Sequence, residues 1–234
     1  MSYLLSKPIC IIPARAGSKR IKNKNLINFF GKPIIYYSIK AAINSRIFDR
    51  IVVTTDSQKI AKVAKKYGAE VPFLRSKKLS NNKTGIKKVI CDCINKIGSK
   101  NVKYHFILYA TNPLIKASYI KLAYAKILKT KCNFLLGVKK FDTYPYKALT
   151  VSKNKIFFKF KKQLLKNSQS FEDFYYDDGS FTIFETKSYL KRKYFFSNNS
   201  TFFLHKKNES LDLNTKEDLK ILKKIYLSNY APKN

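Results

Sequence analysis

Arg15, Lys19, Arg20, Lys22 and Lys24 fall within one ten-residue stretch that also carries Gly17 and Ser18. Cations of this density, on a loop where glycine lets backbone N–H groups approach closely, suit a polyphosphate. The spacing matches neither G-x-x-x-x-G-K-[ST] nor G-x-G-x-x-G, so the two commonest nucleotide fingerprints are absent. Two acidic stretches far along the chain are further candidates. Asp177-Asp178-Gly179, read alone, means a tight turn. Asp212-Leu213-Asn214-Thr215, read alone, means a helix cap, with Thr215 capping a terminal helix that runs to Tyr230 and Asp218 at its N3 position.

Something must hold these groups. Residues 9–12 are apolar, rich in β-branched side chains and closed by Pro13, which reads as a strand buried on both faces. Apolar positions Ile35, Ile39, Ala42 and Ile43 predict a helix over 34–45 with one buried face. A second apolar run at 50–55 and a helix over 59–67, with Asp56 placed to cap it and Gly68 to stop it, repeat the unit, and 71–73 completes a β-α-β-α-β start. A helix over 84–97, which Asn81 or Asn82 can cap, leads to a buried strand at 104–108. A crossover helix at 118–130 and core strands at 134–138 and 201–205 follow. Between these last two strands the alternating residues 151–160 predict a hairpin turning at Lys153-Asn154-Lys155, followed by a polar stretch at 161–170.

At 234 residues the chain fits one α/β domain with an elaboration. It has no run of about 18 apolar residues, and its first residues are too briefly apolar for a signal peptide, so a soluble, cytoplasmic protein without membrane partners is expected. Four cysteines without a C-x-x-C pair, and only two histidines, argue against structural zinc or a disulfide framework. The net charge of +34 comes from lysines scattered over every segment, in a chain also swollen in Asn, Ile, Phe and Tyr. That pattern is drift in composition rather than a dedicated nucleic-acid stripe, although non-specific, salt-sensitive adhesion to nucleic acid should result.

The opening I-I-P-A-R-A-G-S-K-R-I-x-x-K-N followed by G-K-P-I-I-Y-Y-S-I resembles the CMP-sialic acid synthetase family of cytidylyltransferases. Four later stretches resemble its motifs in order: F-L-R with L-S-N-N-K-T-G, Y-A-T-N-P-L, D-D-G-S-F, and L-D-L-N-T-K-E-D. The Tyr-Ala-Thr wording is most like the pseudaminic acid branch. Asn81, Asn82 and Asn214 stand where the family carries aspartates.

The resemblance implies a three-layer α/β/α nucleotide-diphospho-sugar transferase (Rossmann-like) fold with a mainly parallel sheet. It implies a single domain over 1–234 with a small β-rich dimerisation excursion at about 143–174. It implies transfer of CMP from CTP to the anomeric hydroxyl of a nine-carbon acidic sugar, with pyrophosphate released. The nucleotide would meet Ala14, Arg15, Gly17, Ser18, Lys24, Asn25, Arg75 and Thr84, and the sugar Tyr109, Thr111, Asp177, Gly179 and Phe181. Arg15, Lys24 and Asp212 would carry catalysis, and Asp212 with Asn214 would hold Mg²⁺, in a homodimer. The rival readings are a 3-deoxy-manno-octulosonate or other sugar nucleotidyltransferase, and a degenerate, non-catalytic binder of nucleotide or RNA.

Overall fold

The computed structural model describes residues 6–18, 20–164, 167 and 171–230; Lys19 and half of the polar stretch 161–170 lie outside them. The first half of the chain runs β1 (Ile9–Pro13), a small antiparallel pair β2 (Asn28–Phe29) and β3 (Lys32–Pro33), α1 (Ile35–Ser45), β4 (Arg50–Thr54), α2 (Gln58–Lys66), α3 (Ile86–Lys96) and β5 (Tyr104–Leu108). The second half runs α4 (Ala117–Thr130), β6 (Phe134–Lys140), β7 (Leu149–Ser152), β8 (Lys155–Phe158), α5 (Lys161–Leu164), β9 (Tyr175–Glu185), α6 (Thr186–Lys191), β10 (Ser200–Leu204) and α7 (Lys216–Tyr230).

One sheet, ordered β10-β6-β9-β5-β1-β4, organises the molecule. β4, β1 and β5 pair in parallel, β10 pairs in parallel with β6, and β9 alone runs antiparallel, between β5 and β6. Alternation along β1 feeds two cores. Cys10 and Ile12 pack with Ile35 and Ile39 of α1, Ile60 of α2 and Ile120 of α4 on one face. Ile9 and Ile11 pack with Ile90 and Ile94 of α3 and Tyr189 of α6 on the other. A strand whose every side chain is buried on one face or the other must read as an unbroken apolar run, which is how 9–12 reads. The three-layer α/β/α architecture follows. A third cluster ties Leu222 of α7 to Phe29, Ile34 and Leu114.

Three local expectations are corrected. Residues 71–73 form no strand. Only isolated parallel bridges, Val52 with Glu70 and Thr55 with Leu74, join this segment to β4, because Pro72 between them has no N–H to donate. Ser57, not Asp56, caps α2, its hydroxyl accepting the N–H of Ile60 at 3.3 Å. α3 begins at Ile86 with no side-chain cap, since Asn81 spends its carboxamide oxygen on the N–H groups of Lys83 and Thr84.

β7 and β8 form the expected hairpin. Lys153 and Asn154 both adopt positive φ, 47° and 58°, which is the two-residue turn whose twist matches paired strands. Every residue of both strands is exposed. The aromatics around it are only partly free, since Tyr146 meets the rings of Phe160, Phe171 and Phe174 edge-on.

Candidate functional site

The carboxyl ends of the parallel strands share one edge of the sheet, and the basic loop, residues 109–116 and residues 205–215 all leave from it. Such an edge is where open α/β sheets take ligands. Three cavities lie along it. One of about 330 Å³ is lined by Arg15, Ser18, Arg20, Lys24, Asn25 and Asn82. One of about 210 Å³ has Arg15, Arg75, Asn81, Thr84 and Tyr109 in its wall. One of about 420 Å³ has Tyr109, Tyr176, Asp177, Gly179, Asp212 and Asn214. Arg15 and Asn82 are common to the first two, and Tyr109 to the last two, so the three adjoin.

The basic loop is held from beneath. The N–H of Ala14 donates to the Thr54 carbonyl at 3.0 Å, that of Ala16 to Asp56 Oδ1 at 2.8 Å, and the buried Asn25 donates its Nδ2 to the Arg15 carbonyl at 2.8 Å. Asp56 therefore anchors the loop rather than a helix. Its carboxylate also lies 4.0 Å from the buried Arg75 guanidinium. Burial lowers the Arg75 pKa, and Asp56 opposes that shift.

Across the cleft, the loop is bonded to the far end of the chain. Lys24 Nζ donates to the Leu213 carbonyl at 2.7 Å and to Asn214 Oδ1 at 3.4 Å, and Arg20 Nη2 reaches the same Oδ1 at 2.7 Å. Asn214 Nδ2 in turn donates to Asp212 Oδ2 at 2.8 Å, while the hydroxyl of Thr111 donates to Asp212 Oδ1 at 2.5 Å. Burial raises the Asp212 pKa, opposed chiefly by Lys24, and burial lowers that of Lys24, opposed by Asp212. Each ion is the other's main compensation. The expected reciprocal cap supports the segment: Asp218 Oδ2 accepts the N–H of Thr215 at 2.7 Å, and Thr215 Oγ1 accepts that of Asp218 at 3.1 Å.

A break in the β6–β9 ladder shapes the acidic cavity. Leu136 pairs with Thr182 and Val138 with Asp177, so Gly137 alone on β6 faces residues 178–181 on β9. Gly137 has no room for a side chain, since a Cβ there would come within 2.1 Å of Ser180 Oγ. The surplus turns the Asp177-Asp178-Gly179 segment outward. Gly179 sits at φ +64°, and its backbone is pressed so close to Asp212 that an added Cβ would lie 2.8 Å from the Asp212 Cβ.

Of the expected contacts, Arg15, Ser18, Lys24, Asn25, Arg75, Thr84, Tyr109, Asp177, Gly179, Asp212 and Asn214 line these cavities. Four others do not. Phe181 is fully buried against Phe203 and His205, because β9 has re-entered the sheet by that position. Thr111 is buried behind Asp212 and orients it. Ala14 is buried beneath the loop. Gly17 is exposed on the loop with nothing within 4 Å of an added Cβ. Asn214 points its amide oxygen at Arg20 and Lys24 and its amino group at Asp212, so it does not present Asp212 with a second oxygen ligand. Sequence reading missed Tyr176 and the role of Gly137; it placed Arg20 in the loop without seeing its partner.

This is the fold of nucleotidyltransferases. The chain superposes on the structure of CMP:2-keto-3-deoxy-manno-octonic acid synthetase complexed with CTP with a TM-score of 0.71, at 12% identity, over 96% of this chain and 100% of that one. A cytidylyltransferase from Leptospira borgpetersenii superposes at 0.62 with 18% identity, over 97% and 89%. The chain belongs to the cytidylyltransferase family, whose model it matches over residues 9–231. It is 37% identical over 227 residues to the pseudaminic acid cytidylyltransferase of Campylobacter jejuni, covering 96% of this chain and 98% of the relative. It is 31% identical over 225 residues to the CMP-N,N'-diacetyllegionaminic acid synthase of Legionella pneumophila, covering 93% and 95%.

Proposed function

We propose that the chain transfers CMP from CTP to the anomeric hydroxyl of pseudaminic acid or a closely related nine-carbon acidic sugar, releasing pyrophosphate, and that it does so in the cytoplasm as a homodimer. The observation that carries this reading is the bonded link from Arg20 and Lys24 through Asn214 to Asp212. It brings phosphate-seeking cations to the junction between the two polar cavities that flank the nucleoside-sized one.

In this reading cytosine and ribose occupy the cavity of Arg75, Asn81 and Thr84, and the triphosphate lies over Arg15, Ser18, Arg20 and Lys24. The sugar enters beside Tyr109, Tyr176 and Asp177. Little covalent chemistry falls to the protein: it aligns the hydroxyl with the α-phosphate and neutralises charge that develops on the leaving pyrophosphate. Half-buried Lys24 is fixed before substrate arrives, which spares reorganisation when that charge appears.

The donor set fits Mg²⁺ of the kind held jointly by protein and substrate. Both Asp212 oxygens accept one hydrogen bond and keep a lone pair, and the cavity beside them is open. No cluster of three or more acidic, His or Cys side chains among the described residues is placed to cage an ion, so substrate phosphates would complete the shell on Asp212. Bound there, Mg²⁺ would polarise the phosphates toward attack. A pyrophosphate-release assay with CTP or UTP, with and without Mg²⁺, and a panel of nonulosonic acids tests the reading. Turnover should need CTP and Mg²⁺ and be fastest with pseudaminic acid. Equal use of UTP, or preference for N-acetylneuraminic acid, would overturn the nucleotide or the sugar assignment respectively.

A further inference from the structure

Resting on that reading, we propose that Asp177 is the general base that removes the proton from the attacking sugar hydroxyl. The two neighbouring aspartates of the turn have opposite fates. Asp178 points inward, where its Oδ2 lies 2.7 Å from His205 Nδ1, and the two side chains are 1% and 0% exposed. Its Oδ1 also accepts the N–H of Ser180 at 3.0 Å. That buried pair pins the turn from below. Asp177, the preceding residue of the strand, is exposed on the acidic cavity, which Asp178 also borders while its carboxylate turns to His205.

Among the described residues its carboxylate is held by one bond, Oδ1 accepting the N–H of Gly179 at 3.0 Å, which leaves Oδ2 for a ligand. Among the described residues no cation lies within ion-pair distance of it, in a chain with 48 Lys and Arg against 14 Asp and Glu. Asp212 across the cavity is the contrast. It is matched by Lys24, and Thr111 and Asn214 each already donate to one of its oxygens. Asp177 stays exposed at the cavity; its pKa is raised, first by partial desolvation and then by repulsion from Asp178 and Asp212, with the Gly179 N–H opposing. A carboxylate shifted in this direction is a stronger base than an ordinary one. Gly179, two residues on from Asp177, packs against Asp212, so the two carboxylates border one cavity.

In the step itself the sugar O–H bond breaks as its oxygen bonds the α-phosphorus of CTP, and the proton passes to the Asp177 carboxylate. The bond from α-phosphorus to the α,β-bridging oxygen breaks, and its electron pair leaves on pyrophosphate.

The test uses the full chain with CTP, Mg²⁺ and the best acceptor sugar. Asp177→Asn keeps the shape and the acceptor for the Gly179 N–H; kcat should fall about 10²- to 10⁴-fold while KM for CTP stays within about twofold. Asp177→Ala should be partly rescued by added formate, which supplies a carboxylate in the vacated space. Circular dichroism and thermal melting of both variants should match wild type. A wild-type kcat in Asp177→Asn, or a defect confined to the sugar KM, would overturn the base and leave the CMP-transfer reading intact. A wild-type chain that releases no pyrophosphate with any acceptor would overturn both.

Discussion

Asn214 is the residue at which this chain departs most usefully from what its motif suggests, because its amide serves two masters of opposite sign. Its oxygen holds Arg20 and Lys24, and its amino group holds Asp212. In Asn214→Asp the contacts to the cations survive, but the donor to Asp212 is replaced by a second carboxylate facing it. Without metal the variant should lose on the order of 1 kcal/mol of stability, the size of one lost hydrogen bond, and more if the new charge is poorly matched. With Mg²⁺ the two carboxylates become a better site, so the melting temperature should rise more steeply with Mg²⁺ than in wild type and the Mg²⁺ needed for half-maximal rate should drop. Thermal melts and rate assays across an Mg²⁺ series check this, and identical Mg²⁺ responses in both proteins would refute it. At this scale the sequence was legible where function is local. The basic loop was visible because its cations are neighbours in the chain. The link from Lys24 to Leu213 was not, since 189 residues separate the partners and no pattern in either segment encodes the meeting. Nor was the burial of Lys24 or Phe181, which depends on what the fold lays over them.

Elements were read most reliably where burial imposes a period, as in β1, α1, β5 and α4. They were misread where a single hydrogen-bonding group decides, as at Pro72 and at the start of α3. The contact that ties helices to the sheet's second face is of this latter kind. His105 on β5 is fully buried, its Nε2 2.9 Å from Ser99 Oγ beyond α3 and its Nδ1 2.7 Å from Thr186 Oγ1 at the start of α6. Burial lowers its pKa to about 4. The native state thus keeps the ring neutral while the unfolded chain takes up a proton below its ordinary value near 6.5. The contribution is therefore complete above about pH 6.5 and is lost as pH falls from there toward about 4. Between pH 7 and 5 the loss should be about 2 kcal/mol. Denaturant unfolding at pH 7, 6 and 5 measures it. His105→Gln should be less stable at pH 7 but show a shallower fall, and parallel curves for the two proteins would assign the acid sensitivity elsewhere.

Over the whole molecule, charge and apolar exposure pull association in opposite directions. The β7–β8 hairpin projects Val151, Ile156 and Phe157 at 68, 58 and 50% exposure. An isolated two-stranded hairpin with no covered face is marginal in water, and we propose that a second copy of the chain covers this one. A second copy of this chain carries the same hairpin and the same +34 charge. Apolar burial favours pairing while long-range repulsion opposes it, and salt screens only the second, within a Debye length of about 10 Å at 0.1 M. Dimerisation should therefore strengthen as NaCl rises from 50 to 500 mM, on the order of these concentrations, whereas adhesion to RNA should weaken steeply over the same range. Sedimentation velocity with the purified chain and with a short RNA reads both. Replacing Ile156 and Phe157 together by Lys should leave a monomer at every salt concentration without changing RNA adhesion by more than the two added charges allow. If wild type is monomeric throughout, or if the double variant still pairs, the hairpin is not the surface on which two copies meet. If salt weakens pairing and RNA adhesion alike, charge attraction rather than apolar burial holds the copies together.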